Sequence, residues 1–207
     1  MKTTVKILTA ILIAVLAISL CACEFGGIGG ENAGESGEST NSGGSEAQND
    51  SGISTEGSKG LDFDAVYDEI TDQTGYCITG IGTCEDEDVI VPQGRTNYFG
   101  ETQPYLWDDF GGFRGMQKAK SVTLPEGFLE IRSGFGYSPL LEKVVIPSTV
   151  RKIGYDGDSR IFEYCPQFTE IVYNGTVSQW NAVEKGANWK TGTEGFTVHC
   201  TDGDVSE

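Results

Sequence analysis

The chain has 207 residues, a formal net charge of −17 and 38% hydrophobic residues. An interface with nucleic acid needs clustered lysine and arginine, so this acidic balance excludes nucleic acid as a partner. The first 60 residues contain no plausible core, and the rest of the chain is long enough for one domain with a single core.

The N-terminus is predicted to be a signal peptide. Lys2 and Lys6 form a short positive segment, and an apolar run of 14 residues follows from Ile7 to Leu20. A membrane-spanning helix needs about 20 such residues. We therefore expect residues 1–22 to be a cleaved leader rather than a membrane helix.

The leader ends in Leu20-Cys21-Ala22-Cys23, which resembles the lipobox of bacterial lipoproteins. The resemblance implies cleavage after Ala22 and a diacylglycerol group on the sulfur of Cys23. Two or three acyl chains on one residue hold a protein stably on a membrane. The predicted location is therefore extracytoplasmic, anchored to the cell membrane and exposed at the cell surface.

Residues 23–60 are predicted to be this lipidated cysteine followed by a disordered tether. The tether is almost entirely Gly, Ser, Glu, Asn, Thr and Asp, and it buries too little apolar surface to offset the entropy of ordering. Seven acidic residues against one lysine favour an extended chain, and the expected span is about 30–40 Å. Such a spacer holds a domain clear of the membrane.

Residues 61–112 are predicted to form an N-terminal cap and the first repeat strand. Ala65–Ile70 and Tyr76–Ile81 flank a short polar turn, which predicts a β-hairpin. Val89-Ile90-Val91-Pro92 then reads as a strand that stops at proline, with Tyr98 as a further core position six residues later.

Residues 113–207 are predicted to contain repeats and a C-terminal cap. Three segments align without gaps: Phe113–Pro125, Phe135–Pro147 and Phe162–Asn174. In each, a phenylalanine leads and a strand ends at Pro or Asn twelve positions later, because proline cannot donate a ladder hydrogen bond. The predicted core positions are Phe113, Ala119, Val122, Leu124, Phe128, Ile131, Phe135, Leu141, Val144, Ile146, Val150, Ile153, Phe162, Phe168, Ile171, Tyr173, Val177 and Trp180.

The pattern Phe-x-x-Cys/Ser-x-x-Leu-x-x-Ile-x-Ile-Pro-x-x-Val-x-x-Ile-Gly resembles the BspA-type leucine-rich repeat of bacterial surface proteins, most closely over Phe135–Gly154. The resemblance implies a mostly β fold: a short leucine-rich-repeat solenoid of parallel strands with about three to four coils. It also implies a cell-surface location and a binding or adhesion role without enzymatic activity. Insertions at Phe99–Gly112 and Tyr155–Arg160 interrupt the repeat spacing.

A helix and a strand are predicted to cap the C-terminal end of the repeats. Thr176–Lys185 has Val177, Trp180 and Val183 on one face, which predicts a short amphipathic helix. Phe196–Cys200 is expected to add a last strand.

No catalytic residue, metal site or cofactor is predicted. His199 and Cys200 are adjacent in a strand and point to opposite faces, which makes them a poor nucleophile–base pair. The acidic runs Glu85–Asp88, Asp156–Asp158 and Asp202–Asp204 read as surface turns rather than calcium loops. Asp108-Asp109 beside Trp107 is interpreted as polar surface rather than a glycosidase acid pair.

Cysteine pairing stays open at this point. Cys77, Cys84, Cys165 and Cys200 remain in the domain, and export permits disulfides among them. Cys77 and Cys84 are close enough to bridge across a bend. Cys165 fills a small-residue position of the repeat, which favours a buried free thiol.

The candidate binding site is a stripe formed by Ile90, Thr123, Val145 and Val172. Each of these residues lies one position before a core residue of its strand, so the four side chains are expected on the opposite, concave face. An exposed apolar stripe can mark a binding site. The favoured alternative is that the Phe99–Gly112 insertion, with its aromatic side chains Tyr105 and Trp107, covers the stripe.

The sequence therefore predicts a lipid-anchored repeat protein that binds an unidentified protein or glycan ligand and contacts the membrane through the lipid on Cys23. A structural envelope protein without a soluble ligand is the first alternative. A carbohydrate-active enzyme is the second and is less favoured.

Overall fold

A computed structural model describes residues 55–109, 111–155 and 159–207. The chain divides into Met1–Gly43 and Gly44–Glu207, and every described residue belongs to the second unit. The predicted leader, Cys23 and the tether up to residue 54 lie outside the described residues.

The described residues are mostly β, with two mixed sheets and one short helix. The elements in chain order are β1 (Asp62–Asp68), β2 (Gln73–Gly80), β3 (Asp88–Ile90), β4 (Gly94–Thr96), β5 (Thr102–Asp108), β6 (Ser121–Thr123), β7 (Glu130–Ile131), β8 (Lys143–Ile146), β9 (Lys152–Ile153), β10 (Glu170–Tyr173), α1 (Val177–Ala182), β11 (Glu184–Lys185), β12 (Thr197–Cys200) and β13 (Gly203–Ser206).

The first sheet has six strands in the order β13-β12-β10-β8-β6-β3. Its strands run parallel from β3 to β12, and β13 returns antiparallel along β12. Successive side chains of a strand point to opposite faces, so one row of the sheet is buried while the next faces outward. The buried row across the five parallel strands is Val89, Val122, Val144, Ile171 and Val198.

The second sheet has the order β1-β2-β5-β7-β9-β11, with β4 paired antiparallel to β5. Strands β2, β5, β7, β9 and β11 pair in parallel, whereas β1 and β2 are antiparallel. From β5 to β12 the chain alternates between the sheets, with β5, β7, β9 and β11 in the second and β6, β8, β10 and β12 in the first. Each passage therefore places one strand on either side of a shared core.

The core between the sheets contains the predicted repeat positions. All of them are buried except Val177, which is half-buried at the first position of α1. The leading phenylalanines Phe113, Phe135 and Phe162 stack on one another, with ring centroids 5.3 and 5.5 Å apart and interplanar angles of 16° and 14°. The equal distance from each phenylalanine to its strand therefore appears as a continuous aromatic stack.

A turn begins at each proline that ends an aligned repeat strand. Phe128 N donates to the carbonyl of Pro125 at 3.1 Å, and Val150 N donates to the carbonyl of Pro147 at 3.2 Å. The same turn therefore follows two consecutive repeat strands and brings the next apolar residue back towards the core.

The N-terminal hairpin is confirmed as β1 and β2, which begin earlier than predicted. Beyond the hairpin, Ser58 lies along the edge strand β3. Its N–H donates to the carbonyl of Ile90 at 2.8 Å, and its hydroxyl accepts from Ile90 N at 3.0 Å. The last residues of the predicted disordered tether are therefore hydrogen-bonded to the sheet.

The C-terminal cap differs from the prediction in two ways. Helix α1 begins with a capping box between Thr176 and Gln179 but ends at Ala182, because Val183 is extended and Glu184–Lys185 pairs with β9 as a strand. The strand that was predicted to be the last one forms as β12. A further strand, β13, follows it and covers its edge, and the sequence did not predict β13.

The prediction of Tyr98 as a core residue is wrong, since its side chain is 97% exposed. Tyr98 lies in the turn between β4 and β5, where Asn97 Oδ1 accepts from the N–H groups of Phe99 and Glu101 at 2.9 and 3.0 Å. The predicted insertion at Phe99–Gly112 contributes strand β5, which supplies the inward residue Asp108 instead.

We expect Phe135→Ala to lower the free energy of unfolding by about 3–5 kcal/mol, because it removes the middle ring of the stack and leaves a cavity. Tyr98→Ala is the control, and a surface change of this kind should alter stability by less than about 0.5 kcal/mol. Urea denaturation followed by circular dichroism measures both. Equal stability of the two variants would contradict a core centred on the phenylalanine stack.

Candidate functional site

The four predicted stripe residues lie side by side on the outer face of the first sheet. Ile90 pairs with Thr123, Thr123 with Val145, and Val145 with Val172. Ile90 is 49% exposed and the other three are half-buried. We call these four residues the stripe; their contact with a ligand remains a prediction.

A second outward row runs parallel to the stripe and is polar. It consists of Asp88, Ser121, Lys143, Glu170 and Thr197. Ser121 Oγ donates to Asp88 Oδ1 at 2.6 Å, and Lys143 Nζ lies 3.8 Å from Glu170 Oε1. The face therefore combines an apolar row with an adjacent row of hydrogen-bonding and charged groups.

His199 extends the stripe on β12, directly beside Val172. The imidazole lies between two carboxylates, with Nδ1 3.0 Å from Asp204 Oδ1 and Nε2 3.7 Å from Glu170 Oε2. Cys200 packs against the core, as expected for the next residue of a strand. The His199 end of the stripe is therefore acidic.

The predicted cover over the stripe is wrong. The Phe99–Gly112 segment contributes β5 to the second sheet, and its side chains Tyr105 and Trp107 are buried there. Trp107 packs with Cys77 and Leu106 in a small cluster beside the main core. These aromatic residues therefore belong to the opposite sheet from the stripe.

The interpretation of Asp108 as polar surface is also wrong. Its side chain is fully buried, and its carboxylate accepts from the N–H groups of Arg132, Ser133 and Gly134 at 2.6, 2.9 and 2.7 Å. Burial raises the pKa of Asp108 to about 6, while the three backbone donors act in the opposite direction. Asp108 thus holds the turn after β7 and is not available as a surface acid.

The second acid, Asp109, accepts from the Tyr155 hydroxyl at 2.5 Å and lies 3.7 Å from the Arg132 guanidinium. That guanidinium lies over the Trp107 ring, 3.9 Å from its centroid. Each carboxyl of the Asp108-Asp109 pair is therefore occupied by different partners, which does not match two acids flanking one substrate bond.

An ion-pair network continues across the second sheet. Glu130 accepts from Arg132 Nε at 2.8 Å and from Arg151 Nη2 at 2.8 Å. Arg151 Nη2 also donates to Asp68 Oδ1 at 3.1 Å. Although burial raises the pKa of Asp68, hydrogen bonds from Arg151 and Thr71 lower it below the ordinary value. The network ties the N-terminal hairpin to β7 and β9.

The four cysteines of the domain are free thiols. The suggested bridge between Cys77 and Cys84 is not formed, and Cys77 is buried beside Leu106 and Trp107. Cys165 is a buried thiol as predicted, and its Sγ donates to the Phe135 carbonyl at 3.3 Å. Burial raises the pKa of Cys165, which disfavours the reactive thiolate.

The remaining acidic runs have structural partners where the structure describes them. Asp202 Oδ1 accepts from Val177 N at the start of α1 at 2.7 Å, and Lys118 pairs with Glu85 at 3.0 Å. Residues 156–158 lie outside the described residues. Within the described ranges, no three His, Cys, Asp or Glu side chains are grouped so that they could hold a metal ion.

The comparisons with known proteins identify no relative. No protein-family model matches the chain, and no curated protein or solved structure matches it either. A search of the described residues for a helix long and apolar enough to cross a membrane found none.

The sequence analysis missed the exposed pair Tyr137 and Tyr164 and misinterpreted Asp108. A signal for the tyrosines was present, because both repeats read Phe-x-Tyr followed by Ser-Pro or Cys-Pro. The burial of Asp108 carried no comparable signal, since it depends on pairing with Ile78 of β2 and Ile131 of β7, which are distant in the sequence.

Asp108→Asn tests whether the buried carboxyl of Asp108 titrates with a raised pKa. The pKa is about 6 in the folded protein against an ordinary 3.8, so between these values the folded state keeps a proton that the unfolded state has lost. The free energy of unfolding of the native protein should therefore fall as pH rises from about 4 to about 6, by at most about 3 kcal/mol. Asparagine replaces the carboxyl with a group of smaller acceptor capacity, so the variant should be less stable by about 1–3 kcal/mol near pH 4.

The measurement is urea denaturation of both proteins across this pH range. The stability deficit of Asp108→Asn should shrink as pH rises, because only the native protein has a charge to bury there. Taking the difference between the two proteins removes the contribution of the other carboxyls. A deficit that is constant with pH would contradict titration of Asp108 in this range.

Proposed function

We propose that the protein is a lipid-anchored binding module displayed outside the cell, built as a short leucine-rich-repeat solenoid. The outer face of its six-stranded sheet binds a protein or glycan ligand through the stripe. The observation that carries this proposal is the register that aligns Ile90, Thr123, Val145 and Val172 on one outward face.

The strand alternation supports a solenoid. Strands from β5 to β12 alternate between two sheets, and neighbouring repeats pair in parallel without a register shift. The phenylalanine stack continues through three repeats. In a solenoid each repeat buries its core against the next one, which accounts for both features.

The character of the outer face supports binding. Apolar and β-branched side chains occupy one row, and hydrogen-bonding side chains occupy the next. A mixed surface of this type provides apolar contact area together with groups that orient a partner. The proposal assigns no catalytic role to Asp108, because its buried carboxyl is engaged by three backbone donors.

Charge indicates which ligand suits the face. The chain has a formal net charge of −17, and Asp88, Glu170 and Asp204 belong to the outer rows. An acidic surface attracts partners with basic groups and repels polyanions. A protein ligand with apolar and basic side chains therefore suits this face best.

The leader and tether support the anchored location. The lipobox resemblance implies a lipid on Cys23, and a sequence rich in Gly, Ser and acidic residues lies between Cys23 and the folded domain. A sequence of this composition suits a spacer that leaves the domain accessible to ligands.

Val145→Glu tests the stripe, because it introduces a charge at the centre of the apolar row. Ile70→Glu is the matched control, since Ile70 is 78% exposed in the turn after β1. Surface plasmon resonance against mucin and a panel of extracellular matrix proteins measures binding. We expect Val145→Glu to weaken binding by about tenfold or more, and Ile70→Glu to leave it unchanged.

Circular dichroism should show that both variants remain folded. Equal binding by Val145→Glu and the native protein would contradict the stripe as the binding site. If the native protein bound none of the panel, a structural envelope protein would become the better interpretation.

Cys23→Ala tests the anchor, and Cys21→Ala is its neighbouring control. In a bacterial host, the native protein and Cys21→Ala should incorporate radiolabelled palmitate and remain in the membrane fraction. Cys23→Ala should incorporate none and lose membrane attachment, because the sulfur that carries the lipid is gone. Lipid incorporation by Cys23→Ala would contradict this assignment.

A further inference from the structure

Tyr137 and Tyr164 form an exposed aromatic pair outside the stripe. Their side chains are 47% and 63% exposed, and their ring centroids are 4.8 Å apart with an interplanar angle of 35°. Each tyrosine lies two residues after a leading phenylalanine, so the pair is produced by the repeat itself. Large aromatic side chains are usually buried, so two that contact each other in solvent call for an explanation.

The fold does not require tyrosine at these positions. Tyr137 and Tyr164 have left-handed backbone conformations, with φ of 62° and 56°. The equivalent residue of the preceding repeat is Gly115, with φ of 76°. This conformation is unfavourable for a residue with a side chain. Glycine therefore suits the turn better, and the two tyrosines reduce stability there.

The backbone beneath the pair is firmly held. Tyr137 N donates to the carbonyl of Glu163 at 2.7 Å, and Phe135 N donates to the carbonyl of Ile161 at 2.8 Å. The rings of Phe135 and Phe162, two residues before each tyrosine, are buried and stacked. The position of the tyrosines is therefore set before any ligand arrives, which lowers the entropy lost on binding.

The two tyrosines have different neighbours. At the first end, the Arg114 guanidinium lies 4.8 Å from the centroid of the Tyr137 ring and 3.8 Å from Glu163 Oε2. At the second end, Gly192 lies against the backbone, where a Cβ on this glycine would lie 3.2 Å from Glu163 Cα and 3.8 Å from Tyr164 N. Arg114 therefore lies over the inner ring, that of Tyr137, while the outer ring, that of Tyr164, is the more exposed of the two.

We propose that Tyr137 and Tyr164, with Arg114 and Glu163, form a saccharide-binding platform. A pyranose ring has a face of C–H groups that packs on the electron-rich face of an aromatic ring. Its hydroxyls take hydrogen bonds from the guanidinium and donate to the carboxylate at the rim. A neutral sugar also avoids repulsion from a chain of net charge −17.

A proline-rich peptide also packs against aromatic side chains, but it binds in grooves between them. Here the ring centroids are only 4.8 Å apart at an interplanar angle of 35°, which leaves no groove between the rings. The saccharide is therefore the better fit. This site goes beyond the proposed function, because it uses neither the stripe nor its strands.

Tyr164→Gly is the decisive variant, because it removes the outer ring and suits the left-handed backbone. Tyr98→Gly is the matched control, since Tyr98 is 97% exposed in a different turn. The probes are neutral oligosaccharides of the cellulose, chitin and mannan types, and the measurement is isothermal titration calorimetry with the full chain. We expect the native protein to bind at least one probe, Tyr164→Gly to bind it about tenfold or more weakly, and Tyr98→Gly to be unchanged.

Three outcomes would overturn the platform: no binding of any oligosaccharide to the native protein, full binding by Tyr164→Gly, or a proline-rich peptide that binds in place of sugar and is lost in Tyr164→Gly. Val145→Glu separates this site from the stripe. Retained oligosaccharide binding by Val145→Glu supports the platform, whereas its loss in Val145→Glu alone would assign the sugar to the stripe.

Discussion

The constant distance between each leading phenylalanine and its strand is the constraint on which the rest of the structure depends. Because Phe113, Phe135 and Phe162 occur at the same distance from their strands, their rings stack and the strands pair in register. Register then decides which side chains face the core and which face solvent, since a shift by one residue would exchange the two sets. The stripe and the tyrosine pair both follow from this spacing.

Charged residues interrupt one inward row of the second sheet and end it. In this row Asp108 pairs between Ile78 and Ile131, and Lys185 pairs with Ile153 on the last strand. Asp108 accepts three backbone N–H groups, whereas Lys185 Nζ donates to the carbonyls of Trp180 and Val183 at 2.8 and 3.3 Å. Burial lowers the pKa of Lys185 and raises that of Asp108. Backbone groups therefore hold Asp108 within the apolar row and Lys185 at its end.

The three aligned repeats and the N-terminal hairpin were predicted from the sequence, whereas β5, β11 and β13 were not. The core positions between Phe113 and Tyr173 follow one pattern in all three repeats, so alignment alone was sufficient to find them. Strand β5 departs from that pattern, and β11 has only two residues, so tertiary pairing rather than local propensity defines both. Stripe alignment was predictable from side-chain alternation, whereas the exposed tyrosines depend on a left-handed turn that the alignment did not reveal.

The attachment of Ser58 to β3 has a mechanical consequence. A pull on the N-terminal segment reaches the two hydrogen bonds between Ser58 and Ile90 and the bond from Thr83 N to the Gly60 carbonyl before it reaches the hairpin. Ser58 Oγ also donates to Asp86, which adds a further link to the same edge. Load on the N-terminal segment would therefore be borne by the edge of the six-stranded sheet, at the end of the stripe where Ile90 lies. If the domain is anchored and captures a partner as proposed, drag on that partner would stress these hydrogen bonds before it reaches the aromatic core.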